Sequence, residues 1–216
     1  SLIDVSDQSD NRFKIIGGIT LDVPDGNEEW YVGDTTRDIS WTATGTVDPV
    51  KIEYSTNNGG AYTTITSTAA GGDGSKSFTW PSIPDERSLS CKIKVSDARA
   101  AFYSDVTDDS NAVFSILPQI TVTEPDLDEN LVVDGSKTIE WDYTGSKISL
   151  VNITYSISGG SALTLKSNQS AGVSGHGTWT WNNIPESAVS GNVVIKVADA
   201  NQTYSGKVYD DSDSFN

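Results

Sequence analysis

The chain has 216 residues and carries 14 Lys and Arg against 30 Asp and Glu, a formal net charge of −16. Because affinity for phosphate comes from Lys and Arg, this balance argues against nucleic-acid binding and against attachment to anionic membrane surfaces. The single Cys and single His supply no disulfide framework, no zinc ligand set and few members for a catalytic triad.

Short stretches of the first half alternate apolar and polar residues, the pattern of half-buried β-strands. Turn residues separate these stretches about every ten residues, and no stretch keeps a helical period. Seven strands without helices favour an all-β fold of two packed antiparallel sheets, with a barrel as the alternative. The predicted strands are 19–23, 36–43, 49–56, 61–67, 75–80, 89–96 and 111–116.

The second half repeats the first at an offset of 100 to 102 residues. Trp41 returns as Trp141, and Ile83-Pro84 returns as Ile184-Pro185. The repeat predicts two tandem sandwich domains of about seven strands each, over 17–117 and 118–216. Since the linker Leu117-Pro118 is very short, neighbouring units must touch or nearly touch, which favours a semi-rigid rod over beads on a flexible string.

Residues 1–16 read as a third, partial copy, because Val5 and Phe13 match Val106 and Phe114. We expect this stretch to be the last strand of a preceding repeat or an N-terminal extension. No signal peptide and no apolar run of membrane-spanning length occur, and Met is absent. These features favour a fragment cut from a longer secreted protein, with no membrane insertion in the fragment itself.

Several aromatic and reactive residues have a structural and a functional interpretation. Trp41 and Trp141 recur in phase with apolar strand positions, so we expect both to be buried between the sheets. Cys91 aligns with Val193 on a strand, which favours a buried apolar role over a reactive thiol. Trp30 and its neighbour Tyr31 follow a polar run and form either a sugar-stacking platform or a rim that closes the sandwich.

His176 lies in the sequence Gly175-His176-Gly177 and is interpreted as an exposed loop residue. No nucleophile-elbow sequence accompanies it. The salient carboxylates recur in both units, whereas a glycosidase needs one unique pair in a cleft. The sequence therefore predicts no catalytic residue and no enzyme activity.

Acidic residues concentrate around the linker, without Lys or Arg between Asp105 and Glu129. Calcium takes six to eight oxygen ligands and would relieve the repulsion between these carboxylates. The alternative is that the loops lie at opposite ends of each sandwich and are solvated. Calcium is thus a candidate cofactor, with Asp105, Asp108, Asp109, Glu124, Asp126 and Asp128 as candidate ligands.

The first unit contains a characteristic series of motifs, among them Glu28-x-Trp-x-Val-Gly, Trp80-Pro-x-Ile-Pro and Cys91-x-Ile-x-Val-Ser-Asp-Ala. This series resembles the immunoglobulin-like or fibronectin type III-like tandem repeats of large bacterial surface and secreted proteins. Related sandwiches occur in a fungal family of serine/threonine-rich, wall-associated proteins. The second unit departs from the series at Leu131, where the Trp is absent, and at Val193 in place of the Cys.

The resemblance implies a non-catalytic structural or interaction module that acts as a stalk, spacer or adhesin, outside the cell or at its surface. Its partners would be neighbouring repeats of the same chain, a glycan or another surface protein. The alternative function is a carbohydrate-binding accessory module of a secreted hydrolase, motivated by Trp30 and Tyr31.

Overall fold

A computed structural model describes residues 6–11, 13–99, 103–126, 130–189 and 192–215. Residues 6–11 and 13–17 form no strand, and 1–5 and 12 lie outside the described residues, so the interpretation of 1–16 stays a prediction. The strands of the first unit are β1 (Gly18–Val23), β2 (Glu29–Tyr31), β3 (Asp38–Thr44), β4 (Val50–Ser55), β5 (Thr63–Ala69), β6 (Gly74–Thr79), β7 (Ser88–Asp97), β8 (Thr107–Asp109) and β9 (Phe114–Leu117).

The second unit repeats this order with fewer short strands. A single turn of 3-10 helix, Glu186–Ala188, precedes its penultimate strand. None of the helical segments in the described part of the chain has the length and apolar character of a membrane span. The strands are β10 (Ile120–Glu124), β11 (Ser136–Tyr143), β12 (Leu150–Ile157), β13 (Leu163–Ser170), β14 (His176–Asn182), β15 (Val193–Asp199) and β16 (Tyr209–Asp211).

Each unit is a sandwich of two sheets, and corresponding strands follow the same order in the two units, with β2 and β9 added to the larger sheet of the first. Within the described residues, the first unit pairs β1-β3-β6 in one sheet and β2-β9-β7-β4-β5 in the other, with β8 also beside β7. The second unit pairs β10-β11-β14 and β13-β12-β15-β16. The pairings are antiparallel except for β2 with β9. The predicted all-β, immunoglobulin-like fold with two antiparallel sandwiches is therefore confirmed.

Apolar residues of alternate strand positions meet between the sheets in two hydrophobic clusters. Trp41 and Trp141 are 0% exposed, as predicted, and each lies at the centre of its own cluster. Leu117, the last residue of β9, is also 0% exposed but packs in the second cluster. The end of the first unit thus contributes to the core of the second.

Trp30 is a core residue of strand β2, so its interpretation as a sugar-stacking or rim residue is wrong. Its ring is 3% exposed. It meets Trp80 edge-on at a centroid distance of 6.1 Å and Phe114 at 5.0 Å. Strand β2 has only three residues, too few for a visible alternation, which is why the sequence pattern assigned this stretch to a loop.

The last strand differs between the units. In the first, Phe114 lies opposite Cys91 and β9 continues to Leu117 between β2 and β7. In the second, Phe215 lies opposite Val193 in an isolated bridge. A groove with mostly apolar lining, which includes Leu131, Trp181 and Phe215, lies beside this bridge.

We predict different costs for the same substitution at the two central tryptophans. Trp141 Nε1 donates a hydrogen bond to the Ala171 carbonyl oxygen at 3.0 Å, whereas Trp41 Nε1 is buried without a partner among the described residues. Truncation to Ala should cost about 3–5 kcal/mol at either site. Trp141→Phe, which removes a satisfied donor, should cost about 1–2 kcal/mol more than Trp41→Phe.

Urea unfolding monitored by amide hydrogen exchange in each unit measures this difference. Equal losses, or a larger loss for Trp41→Phe, would contradict the assignment of the hydrogen bond to the second unit alone.

Candidate functional site

The predicted calcium ligands of the first unit are held by different protein partners. Asp108 Oδ2 accepts a hydrogen bond from the Leu21 amide at 2.8 Å, which links β8 to β1. Asp109 Oδ2 lies 3.4 Å from Lys92 Nζ on β7. The Leu21 amide and the Lys92 ammonium group, both in the first sandwich, therefore stabilise these two carboxylates.

The remaining predicted ligands lie in other parts of the molecule. Glu124 ends β10 and forms a 2.7 Å ion pair with Lys137. Along the chain, β9, the linker and β10 lie between Asp109 and Glu124. Asp105 and Asp126 are exposed, and Asp128 lies outside the described residues. No group of three or more His, Cys, Asp or Glu among the described residues is arranged to hold a metal ion. Calcium at these positions stays a prediction.

Cys91 is buried and His176 is exposed, as the sequence predicted, but His176 begins strand β14 and is not a loop residue. Cys91 is fully buried, and burial raises the pKa of its thiol. His176 is exposed at the start of β14, and its Nδ1 lies 2.9 Å from Asp142 Oδ1. A buried thiol with a raised pKa is a poor nucleophile, so this setting favours the packing role for Cys91.

Several contacts between side chains far apart in the sequence lie where the two sandwiches meet. We call this surface the junction and define it by Tyr31, Asp85, Arg87 and Leu89 of the first unit and by 144–146, Asp199, Tyr204 and Lys207 of the second. Tyr31 and Leu89 pack against the second hydrophobic cluster, in which Leu117 is buried. Apolar contact is thus continuous from one sandwich to the next.

An ion pair of Arg87 and Asp199 is the main electrostatic contact of the junction. Arg87 Nη1 donates to Asp199 Oδ2 at 2.6 Å, and the two side chains are 21% and 3% exposed. The guanidinium also stacks over the Tyr204 ring, 4.7 Å from its centroid. Tyr204 Oη in turn donates to the Arg87 carbonyl oxygen at 3.2 Å. A carboxylate removed from water in this way needs such a cation.

The first unit contains the same buried carboxylate but pairs it internally. Asp97, at the equivalent end of β7, is 2% exposed and receives a bidentate pair from Arg99 at 2.9 and 2.6 Å. These bonds hold the pKa of Asp97 below its usual value. The position of Arg99 is taken in the second unit by Asn201, whose backbone amide alone reaches Asp199. The second unit therefore obtains its cation from the first.

Two further polar contacts flank this ion pair. The Ser146 amide donates to both carboxylate oxygens of Asp85, at 2.9 and 3.0 Å. Hydrogen bonds from Ser146 lower the pKa of Asp85. Lys207 pairs with Glu29 across the same surface. These contacts add charge complementarity around the Arg87 pair.

Gly145 allows the close approach of the two units at Asp85. Its φ is +80°, and a Cβ there would lie 2.9 Å from Asp85 Oδ1 and 3.5 Å from Val32 Cγ1. The equivalent Gly45 has a similar φ of +77° but faces open space apart from Gly17. The two glycines form a matched pair, of which only Gly145 lies at the junction.

Sequence analysis missed the junction because its key pair joins residues 112 positions apart in the chain. One signal was present. The repeat aligns Asp97 with Asp199, and two residues further it aligns Arg99 with Asn201. A buried acid that loses its local arginine needs a cation from elsewhere.

Comparisons with known proteins return structural likenesses only. No protein-family model matches the chain, and no curated protein matches it. Among solved structures, the fibronectin(III)-like modules of Clostridium thermocellum CbhA share 18% identity over 91% of each chain, with a TM-score of 0.27. Titin domains z1z2, in complex with telethonin, share 14% identity over 94% of this chain and 97% of theirs, also with a TM-score of 0.27. At these values, the fold assignment rests on the strand order of the chain itself.

We predict that Arg87→Ala destabilises the second unit rather than the first, which contains the substitution. The loss should be about 3 kcal/mol, the low end for breaking a buried pair, because Arg87 keeps some exposure. Adding Asn201→Arg should restore stability by rebuilding the arrangement that Arg99 makes. Arg99→Ala is the matched control and should weaken the first unit. Unit-resolved amide hydrogen exchange measures all four chains, and an unchanged second unit in Arg87→Ala would contradict the assignment.

The junction should weaken at acid pH. Because the docked pKa of Asp85 is lowered, the contact with Ser146 favours the ionised carboxylate. Its contribution is therefore complete above the usual pKa of 3.8 and is lost as pH falls through the lowered value. Carboxyl NMR titration of Asp85 in the native chain and in Arg87→Ala measures the shift. A pKa that is not lowered in the native chain would show that the contact does not form.

Proposed function

We propose that the chain is a non-catalytic structural and interaction module, a semi-rigid spacer or stalk of docked sandwiches in an extracellular or cell-surface protein. The single observation that carries this proposal is the shared ion pair, in which Asp199 of the second unit is neutralised by Arg87 of the first. Neighbouring repeats of the same chain are thus its first partners, and an adhesive role would use the surfaces that these contacts leave free.

The junction supports stiffness by three kinds of contact. Leu117 joins β9 directly to the second hydrophobic cluster. Gln119 and Thr144 exchange hydrogen bonds, since the Gln119 amide donates to Thr144 Oγ1 and the Thr144 amide donates to the Gln119 carbonyl. The Arg87 pair and the Asp85 contact then oppose rotation about the linker. A linker of two residues with contacts on several sides is expected to restrict domain motion.

The alternatives have less support from the site geometry. The carbohydrate-binding interpretation was motivated by Trp30 and Tyr31. The Trp30 ring is buried among Trp80 and Phe114, and Tyr31 packs against the second hydrophobic cluster. Catalysis has less support, because the Cys91 thiol is buried and the ion-pair contacts of the His176 ring, among the described residues, are with Asp142 and Glu140 rather than with a nucleophile. A spacer or adhesive role accounts for the junction without a further ligand.

A distance distribution between spin labels on the two units tests the proposal. The substitution Cys91→Val removes the native thiol, and it introduces the residue that the second unit has at the equivalent position, Val193. Labels at Thr64 and Lys166, exposed on equivalent strands β5 and β13, then report on orientation. We expect one narrow distance distribution for the native junction, and a broad one would contradict a semi-rigid spacer.

Gly145→Ala provides the sharpest perturbation of this distribution. The added Cβ should displace Asp85 from Ser146 and broaden or shift the distance. Gly45→Ala should lower stability by a similar amount, about 1–2 kcal/mol, because the backbone at Gly45 is also left-handed. Since Gly45 lies away from the junction, the distance distribution of this variant should match that of the native chain. Equal effects of the two substitutions would show that strain, and not docking, determines the orientation.

A further inference from the structure

The outer face of the larger sheet in the first unit holds a tyrosine ring. Tyr62 lies directly before β5, and Lys94 Nζ lies 4.0 Å from the centroid of its ring. Tyr62 Oη donates a hydrogen bond to Asp109 Oδ2 at 3.3 Å. Burial and the Asp109 carboxylate raise the pKa of Tyr62 to about 12, so its hydroxyl remains a donor at neutral pH. The ring is thus held by a cation at its face and by a carboxylate at its hydroxyl.

The second unit keeps the two charged residues but lacks the ring. Lys196 and Asp211 pair across β15 and β16 in the register of the first-unit pair, and their side chains lie 3.5 Å apart. Strand β13 begins one residue after Ala162, as β5 begins one residue after Tyr62, and the two strands have equivalent partners. Ala162 therefore occupies the position of the tyrosine.

A cavity of about 520 Å³ lies where this ring is absent. A Cβ added at Gly59 would lie 3.1 Å from Tyr62 Oη, whereas a Cβ added at Gly159 would meet nothing within 4 Å. The cavity thus follows from one difference within the repeat, Tyr in the first unit and Ala in the second. Its lining residues include Ser156, Gly160, Ala162, Val194, Lys196 and Asp211.

We propose that this cavity binds the ring of a tyrosine in a partner polypeptide, in the place that Tyr62 fills in the first unit. Lys196 contacts the ring, and Asp211 accepts the hydrogen bond of the tyrosine hydroxyl. A tyrosine that enters a pocket is a common anchor of protein interfaces. Since Asp210 and Asp213 lie beside Asp211 and the chain has a net charge of −16, basic residues next to this tyrosine complete the complementarity.

The inference is separate from the spacer proposal, because the residues that line the cavity and those that form the junction are different sets. Failure of tyrosine binding would leave the distance distribution between the two units unchanged. A flexible junction would in turn leave the cavity as it is. The two proposals can therefore fail independently.

NMR titration of the native chain with three peptides tests the proposal. The peptides are acetyl-Lys-Tyr-Lys-amide and its versions with Phe or Ala in place of Tyr, and their equal charge separates ring recognition from attraction to the acidic chain. We expect the Tyr peptide to shift the amide signals of Ala162, Lys196 and Asp211. It should bind about three- to tenfold more tightly than the Phe peptide, which has no hydroxyl to donate to Asp211.

Two substitutions exchange the state of the site between the units. Ala162→Tyr fills the cavity with a ring of the chain itself and should weaken binding of the Tyr peptide at least about tenfold. Tyr62→Ala opens the equivalent cavity and should add a second set of shifts, at Lys94 and Asp109. Asp211→Ala, at an exposed position, should abolish the preference for the Tyr peptide over the Phe peptide.

Four results would overturn the proposal. The Tyr peptide would leave the signals of Ala162 and Lys196 unshifted at several millimolar, or the Ala peptide would produce equal shifts through charge alone. Binding that persists in Ala162→Tyr would place the peptide elsewhere on the chain. Binding of p-cresol as tight as that of the Tyr peptide would indicate a site for a free phenol rather than for a polypeptide.

Discussion

A carboxylate at the end of β7 in the first sandwich, and at the end of the equivalent β15 in the second, is removed from water and must be paired with a cation. Asp97 and Asp199 are both 2% exposed, and isolation of either charge would cost several kcal/mol. The first unit pairs Asp97 with its own Arg99. The second has Asn201 at that position and takes Arg87 from its neighbour. One local substitution within a repeat thus makes the stability of one domain depend on contact with the other.

The remaining junction contacts accompany this pair. Arg87 lies over Tyr204 and reaches Asp199, Leu117 is enclosed in the second core, and Asp85 lies within hydrogen-bond distance of the Ser146 amide. Gly145 has no side chain to prevent that approach. A surface that combines a buried ion pair with apolar contact restricts rotation more than a short linker alone. This property is what a spacer made of repeated sandwiches requires.

Much of the fold could be predicted from the sequence, because long strands show their alternation locally and the repeat displays it twice. Trp41 and Trp141 were placed in the core on this basis. Strand β2 was missed because three residues carry no period, so Trp30 was assigned to a loop. The junction could not be predicted, since whether Arg87 reaches Asp199 depends on how two folded units dock. The acidic residues near the linker were grouped by sequence, but Asp108 and Glu124 bind partners in different sandwiches.

The central claim is that the shared ion pair makes two sandwiches one rigid body. Residual dipolar couplings of backbone amides, fitted separately for residues of each unit, test it most directly. The account predicts alignment tensors of the same magnitude and orientation for both units in the native chain. It also predicts that the tensors diverge in Arg87→Ala. Different tensors in the native chain would contradict the claim, because they would show that the units reorient independently despite the contacts between them.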